Sequence, residues 1–247
     1  MILAIIPARF ASTRFPAKPL ADLGGKSMIQ RVYEQVKKSK LVSDVVVATD
    51  HQEIFNHVKK FGGNVCMTKE SHASGTDRCY EALMLQQKEF SYVINVQGDE
   101  PFIQPEQIDL LAKQSDGNAE IATLVKKIED SEQLFNPNVV KAVVSKNKNA
   151  LYFSRSPIPH IRNTAEKEWL SKQTFFKHIG MYAYRSDILK QITSLPISSL
   201  EKAESLEQLR WLENGFKISV AETKTETIGI DTPEDLQKAI AHLKGAS

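Results

Sequence analysis

The chain has 247 residues with a 41% hydrophobic content, enough for a sizeable core in one large α/β domain or two small ones, and too apolar for disorder. Its 32 basic and 30 acidic side chains leave a net charge of +2, which offers no general attraction to nucleic acid or to a membrane surface. Two cysteines, Cys66 and Cys79, lack C-x-x-C or zinc spacing and read as reduced thiols; the opening apolar run is too short for a signal peptide or a membrane span, so a cytoplasmic protein is expected.

The run Ile2-Leu3-Ala4-Ile5-Ile6 has no polar alternation, as expected of a central parallel strand covered on both faces. It empties into Pro7-Ala8-Arg9-Phe10-Ala11-Ser12-Thr13-Arg14-Phe15-Pro16-Ala17-Lys18, at the strand end where ligands collect in open α/β sheets. Arg9, Arg14 and Lys18 sit beside small residues that let backbone N–H groups approach a ligand, an arrangement suited to polyphosphate; a solvated basic loop is the alternative. Gly24-Gly25-Lys26-Ser27 mimics the end of a Walker A motif, but Leu20 stands where that motif needs its first glycine. No G-x-G-x-x-G follows the strand.

Ser27 is placed to cap a helix carrying Met28, Ile29, Val32, Tyr33 and Val36, and Val45 to Ala48 form a second buried strand ending in Thr49-Asp50. A helix through Ile54, Phe55 and Val58 stops at Gly62-Gly63, and a short strand over 64–67 leads into Ser74-Gly75-Thr76-Asp77-Arg78 and another helix. Strand-helix alternation of this kind predicts parallel pairing with right-handed crossovers. Tyr92 to Val96 form a fourth strand running into Gln97-Gly98-Asp99, where a carboxylate near phosphates would call for a divalent cation between them; an ordinary strand-ending turn is the alternative.

Beyond it the pattern predicts a helix from Pro105, strands at 121–125, 139–144 and 150–154, and a mobile flap over the polar, aperiodic residues 160–174. Phe175 to Tyr184 alternate as a strand, with His178, Gly180, Tyr182 and Tyr184 on one face and the apolar set mainly on the other. Leu200 to Leu212 read as one helix, and 216–220 as a late strand. A final strand over 228–230 ends at Asp231, before a helix capped by Thr232 with Pro233 in its first position.

Ile6-Pro7-Ala8-Arg9, Ser12-Thr13-Arg14-Phe15-Pro16 and Lys18-Pro19-Leu20 resemble the signature of the sugar-acid cytidylyltransferases, in the branch acting on 3-deoxy-manno-octulosonate, and the words around Ser74, His178 and Glu207 extend the likeness over nearly the whole chain. Ala17 departs from it, since the family usually has glycine there; a positive φ at this position would cost alanine roughly 1 kcal/mol.

The resemblance implies a Rossmann-like three-layer nucleotidyltransferase fold, α/β with a central mostly parallel mixed sheet. It implies a single domain over 1–247 with a sugar-binding and dimerising excursion around 150–215, and a homodimer. The implied substrates are CTP and an eight-carbon keto sugar acid, with Mg²⁺ as cofactor held by Asp99 and Asp231. Pro7, Ala8, Arg9, Arg14, Lys18, Ser74, Gly75, Arg78, Gln97 and Asp99 become nucleotide-binding candidates, with Asp99, Asp231, Lys18 and Arg9 catalytic. Arg155 is the candidate for the sugar carboxylate, and His178, Tyr182, Glu207 and Gln208 for the sugar hydroxyls. Transfer to another acidic sugar, such as a sialic acid or the 8-amino octulosonate, and non-catalytic nucleotide-sugar binding are the alternatives.

Overall fold

The computed structural model describes residues 1–11, 15–115, 117–226 and 229–245. Cα proximity groups the chain into two compact units, Met1–Lys113 with Thr227–Ser247, and Gln114–Glu226.

The first unit opens with β1 (Ile2–Ala8), in which Leu3, Ala4, Ile5 and Ile6 are all fully buried. Successive strand residues face opposite ways, so four buried in a row mean cover on both faces, which is why the sequence shows no alternation. Next, α1 (Met28–Val36) starts where the Ser27 hydroxyl accepts the Gln30 N–H at 3.3 Å. It buries Met28, Ile29, Val32, Tyr33 and Val36 along one stripe; each large apolar side chain contributes about 1.5–3 kcal/mol. There follow β2 (Asp44–Thr49), α2 (Gln52–Lys60), β3 (Val65–Met67), α3 (Gly75–Met84), β4 (Tyr92–Asn95) and α4 (Pro105–Ala112). The strands lie in the order β3-β2-β1-β4, all parallel. Chain order therefore reverses direction between β1 and β4, and a crevice opens at the carboxyl ends of such a pair.

The Walker-like glycines serve a different purpose. Gly24 and Gly25 both have positive φ, and the Leu23 N–H donates to the Lys26 carbonyl at 2.8 Å, a two-residue turn of the kind that needs glycine.

The second unit contains β5 (Ile121–Lys127), α5 (Ser131–Phe135), β6 (Lys141–Val144), β7 (Ala150–Ser154), α6 (Trp169–Lys172), β8 (Phe176–Arg185), α7 (Ser186–Ile192), α8 (Ser199–Glu204), α9 (Gln208–Glu213) and β9 (Ile218–Glu222). Here β5 pairs parallel with β9 and antiparallel with β8, while β6 pairs antiparallel with β7 and β8. The first unit closes with α10 (Pro233–Gly245), whose Asp235 N–H is capped by the Thr232 hydroxyl at 3.2 Å.

Four expectations need correction. Residues 160–174 are not a bare flap: Trp169 is 3% exposed, stacks on Phe175 at 5.9 Å between centroids, and packs with Ile128 and Leu134. One buried aromatic anchors a segment too short to show periodicity. The helix expected over 200–212 is two, because Ser205 adopts φ 52 and turns the chain between α8 and α9. Glu201 and Arg210 then meet in a two-pronged pair, at 2.6 and 2.7 Å, that a continuous helix would hold about 13 Å apart along its axis. The strand expected over 139–144 starts only at Lys141. Gly229 and Ile230 belong to no strand, while Ile228 lies outside the described residues.

Candidate active site

The crevice between the β1 and β4 ends is a cleft of about 280 Å³, lined by Pro7, Ala8, Arg9 and Lys18 from the basic segment and Gln97, Gly98 and Asp99 after β4. Ser74, Gly75 and Arg78 contribute from the start of α3, and Asp231 from the turn before α10. Nine of the ten nucleotide-binding candidates thus converge on one place; the tenth, Arg14, lies outside the described residues. A larger depression of about 500 Å³ at the β3 edge, lined by residues such as Asp44, Lys59 and Cys66, contains none of them.

At the centre of the cleft the Lys18 ammonium donates to Asp99 Oδ2 at 2.7 Å and to Asp231 Oδ1 at 3.3 Å. Two aspartates 132 positions apart in sequence therefore share one cation. Backbone geometry sets this up, since the Ile230 N–H donates to the Asp99 carbonyl at 2.9 Å and draws the second aspartate alongside the first. Lys18 heads a single 3-10 turn, Lys18–Leu20, preceded by Ala17 at φ 54, so the family-departing alanine does occupy left-handed backbone. At Gly98 an added Cβ would stand 2.9 Å from the Pro7 carbonyl oxygen, so the close approach of the β1 and β4 ends requires glycine.

Beside Asp99, burial is the main force raising the Glu100 carboxyl to about 7, with the neighbouring Asp99 charge adding to it. Ser74 caps α3 in a reciprocal box with Asp77, leaving the helix start facing the cleft. Arg78 does not reach into the cleft as a free fork. It is fully buried, donating to Asp50 Oδ2 and Thr68 Oγ1, each at 2.6 Å, and so braces α3 against the end of β2. Sequence reading passed over Asp50; a carboxylate closing a buried strand was its only signal.

The sugar candidates all belong to the second unit. His178 Nε2 lies 2.9 Å from the Thr123 hydroxyl, which lies 2.8 Å from the Met181 carbonyl. Because that hydroxyl must donate to the carbonyl, it accepts from His178 Nε2–H, and Nδ1 is left as an acceptor. Burial drives the imidazole down to about 3, so it is neutral at physiological pH. Tyr182 packs against His178, Tyr184 and Trp211, so the face carrying His178 and Tyr182 is an aromatic cluster. The Tyr182 hydroxyl is buried without a partner among the described residues. Glu207 and Gln208 lie at the start of α9. Arg155 is already engaged, donating from Nε to the Glu204 carbonyl at 2.8 Å and more weakly to Pro137 and Ser205 at 3.2 and 3.4 Å.

A cleft at a parallel-sheet reversal, with a basic turn and paired carboxylates, is the equipment of a nucleotidyl-transfer enzyme. The chain belongs to the cytidylyltransferase family, whose model matches residues 3–220. A protein of Parabacteroides distasonis named 3-deoxy-manno-octulosonate cytidylyltransferase is 59% identical over 246 residues, covering 98% of this chain and 97% of its own. One of Cytophaga hutchinsonii with the same name is 60% identical over 236 residues, at 95% and 94% coverage. Among solved structures, a CMP:2-keto-3-deoxy-manno-octonic acid synthetase complexed with CTP superposes with a TM-score of 0.91 at 42% identity, over 100% of this chain and 99% of the other. The fold is accordingly the Rossmann-like nucleotidyltransferase fold with a mixed, mostly parallel sheet. Among the described residues no helix is long and apolar enough to cross a membrane.

Proposed function

We propose that the chain transfers CMP from CTP to the anomeric hydroxyl of 3-deoxy-D-manno-octulosonate, giving CMP-KDO and pyrophosphate for lipopolysaccharide biosynthesis. The observation that carries the reading is the Lys18 ammonium held between Asp99 and Asp231 in the cleft that Arg9 lines. The curated relatives of the same name, at 59% and 60% identity, support the choice of substrate.

In this reaction the anomeric oxygen bonds to the α-phosphorus as the bond to the bridging oxygen breaks, pyrophosphate departs and the hydroxyl proton is released. Little covalent chemistry falls to the protein, whose work is alignment and charge neutralisation. Arg9, Arg14 and Lys18 offset the triphosphate charge, while the N–H groups around Ser74 and Gly75 approach its oxygens. Two carboxylates converging on one cation position are an oxygen donor set that suits Mg²⁺. Asp99 and Asp231 would hold the ion, which when bound polarises the α-phosphate.

The sugar acid is assigned to Arg155, His178, Tyr182, Glu207 and Gln208. Arg155 exchanges its two long carbonyl contacts for a stronger charge-assisted pair with the substrate carboxylate. His178 Nδ1 accepts from one sugar hydroxyl, and the partnerless Tyr182 hydroxyl meets another. A cytoplasmic homodimer, with residues around 150–215 serving sugar binding and dimerisation, completes the reading.

The test is Asp99→Asn in a pyrophosphate-release assay with CTP, Mg²⁺ and the sugar acid. Turnover is expected to drop by at least about a hundredfold; turnover near the wild type would reject the metal assignment.

A further inference from the structure

The turn after β2 touches the nucleotide cleft's walls without lining the cleft itself. Asp50 holds the buried Arg78 of α3, and its neighbour His51 lies against the basic turn after β1. The imidazole of His51 stacks on the Phe10 ring, with centroids 3.7 Å apart and planes within 16°. Phe10 also closes the base of the basic segment, its carbonyl accepting the Ala17 N–H at 3.1 Å. At the other end Phe15 packs on the cluster of Leu23, Met28 and Ile230. The described stretches on either side, 9–11 and 15–18, are therefore each pinned by a phenylalanine, and the first rests on one imidazole.

We propose that His51 is a positioning residue for nucleotide binding: by stacking on Phe10, whose carbonyl holds the Ala17 N–H, it keeps Arg9 and Lys18 in place before CTP arrives. This rests on the cytidylyl-transfer reading above. Side chains already held in place lose less conformational freedom when the triphosphate docks, so the stack tightens CTP binding without touching the ligand. The effect falls on ground state and transition state alike, and so on KM more than on kcat.

His51 also has a structural duty, since its Nδ1 accepts the Glu53 N–H at 3.3 Å and caps α2. The two roles separate by substitution. Asn in this position keeps a capping acceptor and loses the ring; Phe keeps a ring and loses the cap. His51→Asn is expected to raise KM for CTP roughly two- to tenfold, the size of one aromatic pair, with a much smaller change in kcat. His51→Phe should restore KM to near the wild-type value while lowering the thermal midpoint. Phe10→Ala should match His51→Asn, and the double variant should be no worse than either. An unchanged KM in His51→Asn, or equal KM losses in His51→Asn and His51→Phe, overturns this inference alone. Absence of CTP-dependent pyrophosphate release in the wild type overturns the cytidylyl-transfer reading, and this inference with it.

Discussion

Gly98→Ala probes the closeness of the two strand ends that make the cleft. The new Cβ would stand 2.9 Å from the Pro7 carbonyl oxygen and 3.6 Å from Ile6 Cγ2. The first neighbour is backbone at the end of β1, which is paired to β2 up to Ala8 and cannot swing aside as a side-chain tip would. Relief needs a shift of about half an ångström between the β1 and β4 ends, and such overpacking costs about 1–3 kcal/mol. For a chain of this length that is a fall in thermal midpoint of roughly 2–12 °C. The displaced residue adjoins Asp99, whose carbonyl fixes Ile230 and thereby Asp231, so the two carboxylates lose register together. Misplacement by a fraction of an ångström should lower CMP transfer by about ten- to a hundredfold. Thermal unfolding followed by fluorescence, with pyrophosphate release on the same preparation, measures both. A Gly98→Ala protein with the wild-type midpoint and turnover would refute the argument that the close approach builds the site.

Ala17→Gly acts in the opposite direction. Alanine at φ 54 carries about 1–2 kcal/mol of left-handed strain, partly offset by glycine's larger entropy loss on folding, so the variant should melt about 1–3 °C higher; a lower midpoint would contradict the strain. His178 predicts a pH dependence. Its folded value is depressed to about 3 against an ordinary 6.5, so between those limits the unfolded chain binds a proton that the folded chain refuses. Its contribution is fully present above pH 6.5 and declines as pH falls toward 3, by up to about 1.4 kcal/mol per unit. Urea midpoints at pH 7 and 5 should therefore lie closer together in His178→Gln than in the wild type, and equal spacing would refute it.

Much of the first unit was legible because its causes are local. Ser27, Ser74 and Thr232 are caps that act within three residues, and the apolar runs of β1, β2 and β4 record burial on both faces. The second unit was less legible where long-range contacts overrode local pattern. Leu200 to Leu212 contain no glycine or proline to announce a break, yet the Glu201–Arg210 pair and the burial of Leu206 accompany one at Ser205. Likewise Arg155 read as an available cation, and three backbone carbonyls already receive it.

By itself, then, the order of residues determined the strand and helix succession from β1 to α4, the basic turn after the first strand and the two isolated aspartates. Only the tertiary structure decided that Lys18 stands between Asp99 and Asp231, that Arg78 spends its charge on Asp50, and that His51 lies on Phe10. The physical reason is range. Capping and periodic burial act between neighbours along the chain, whereas an ion pair or a ring stack depends on through-space separation, which is set once distant strands have paired.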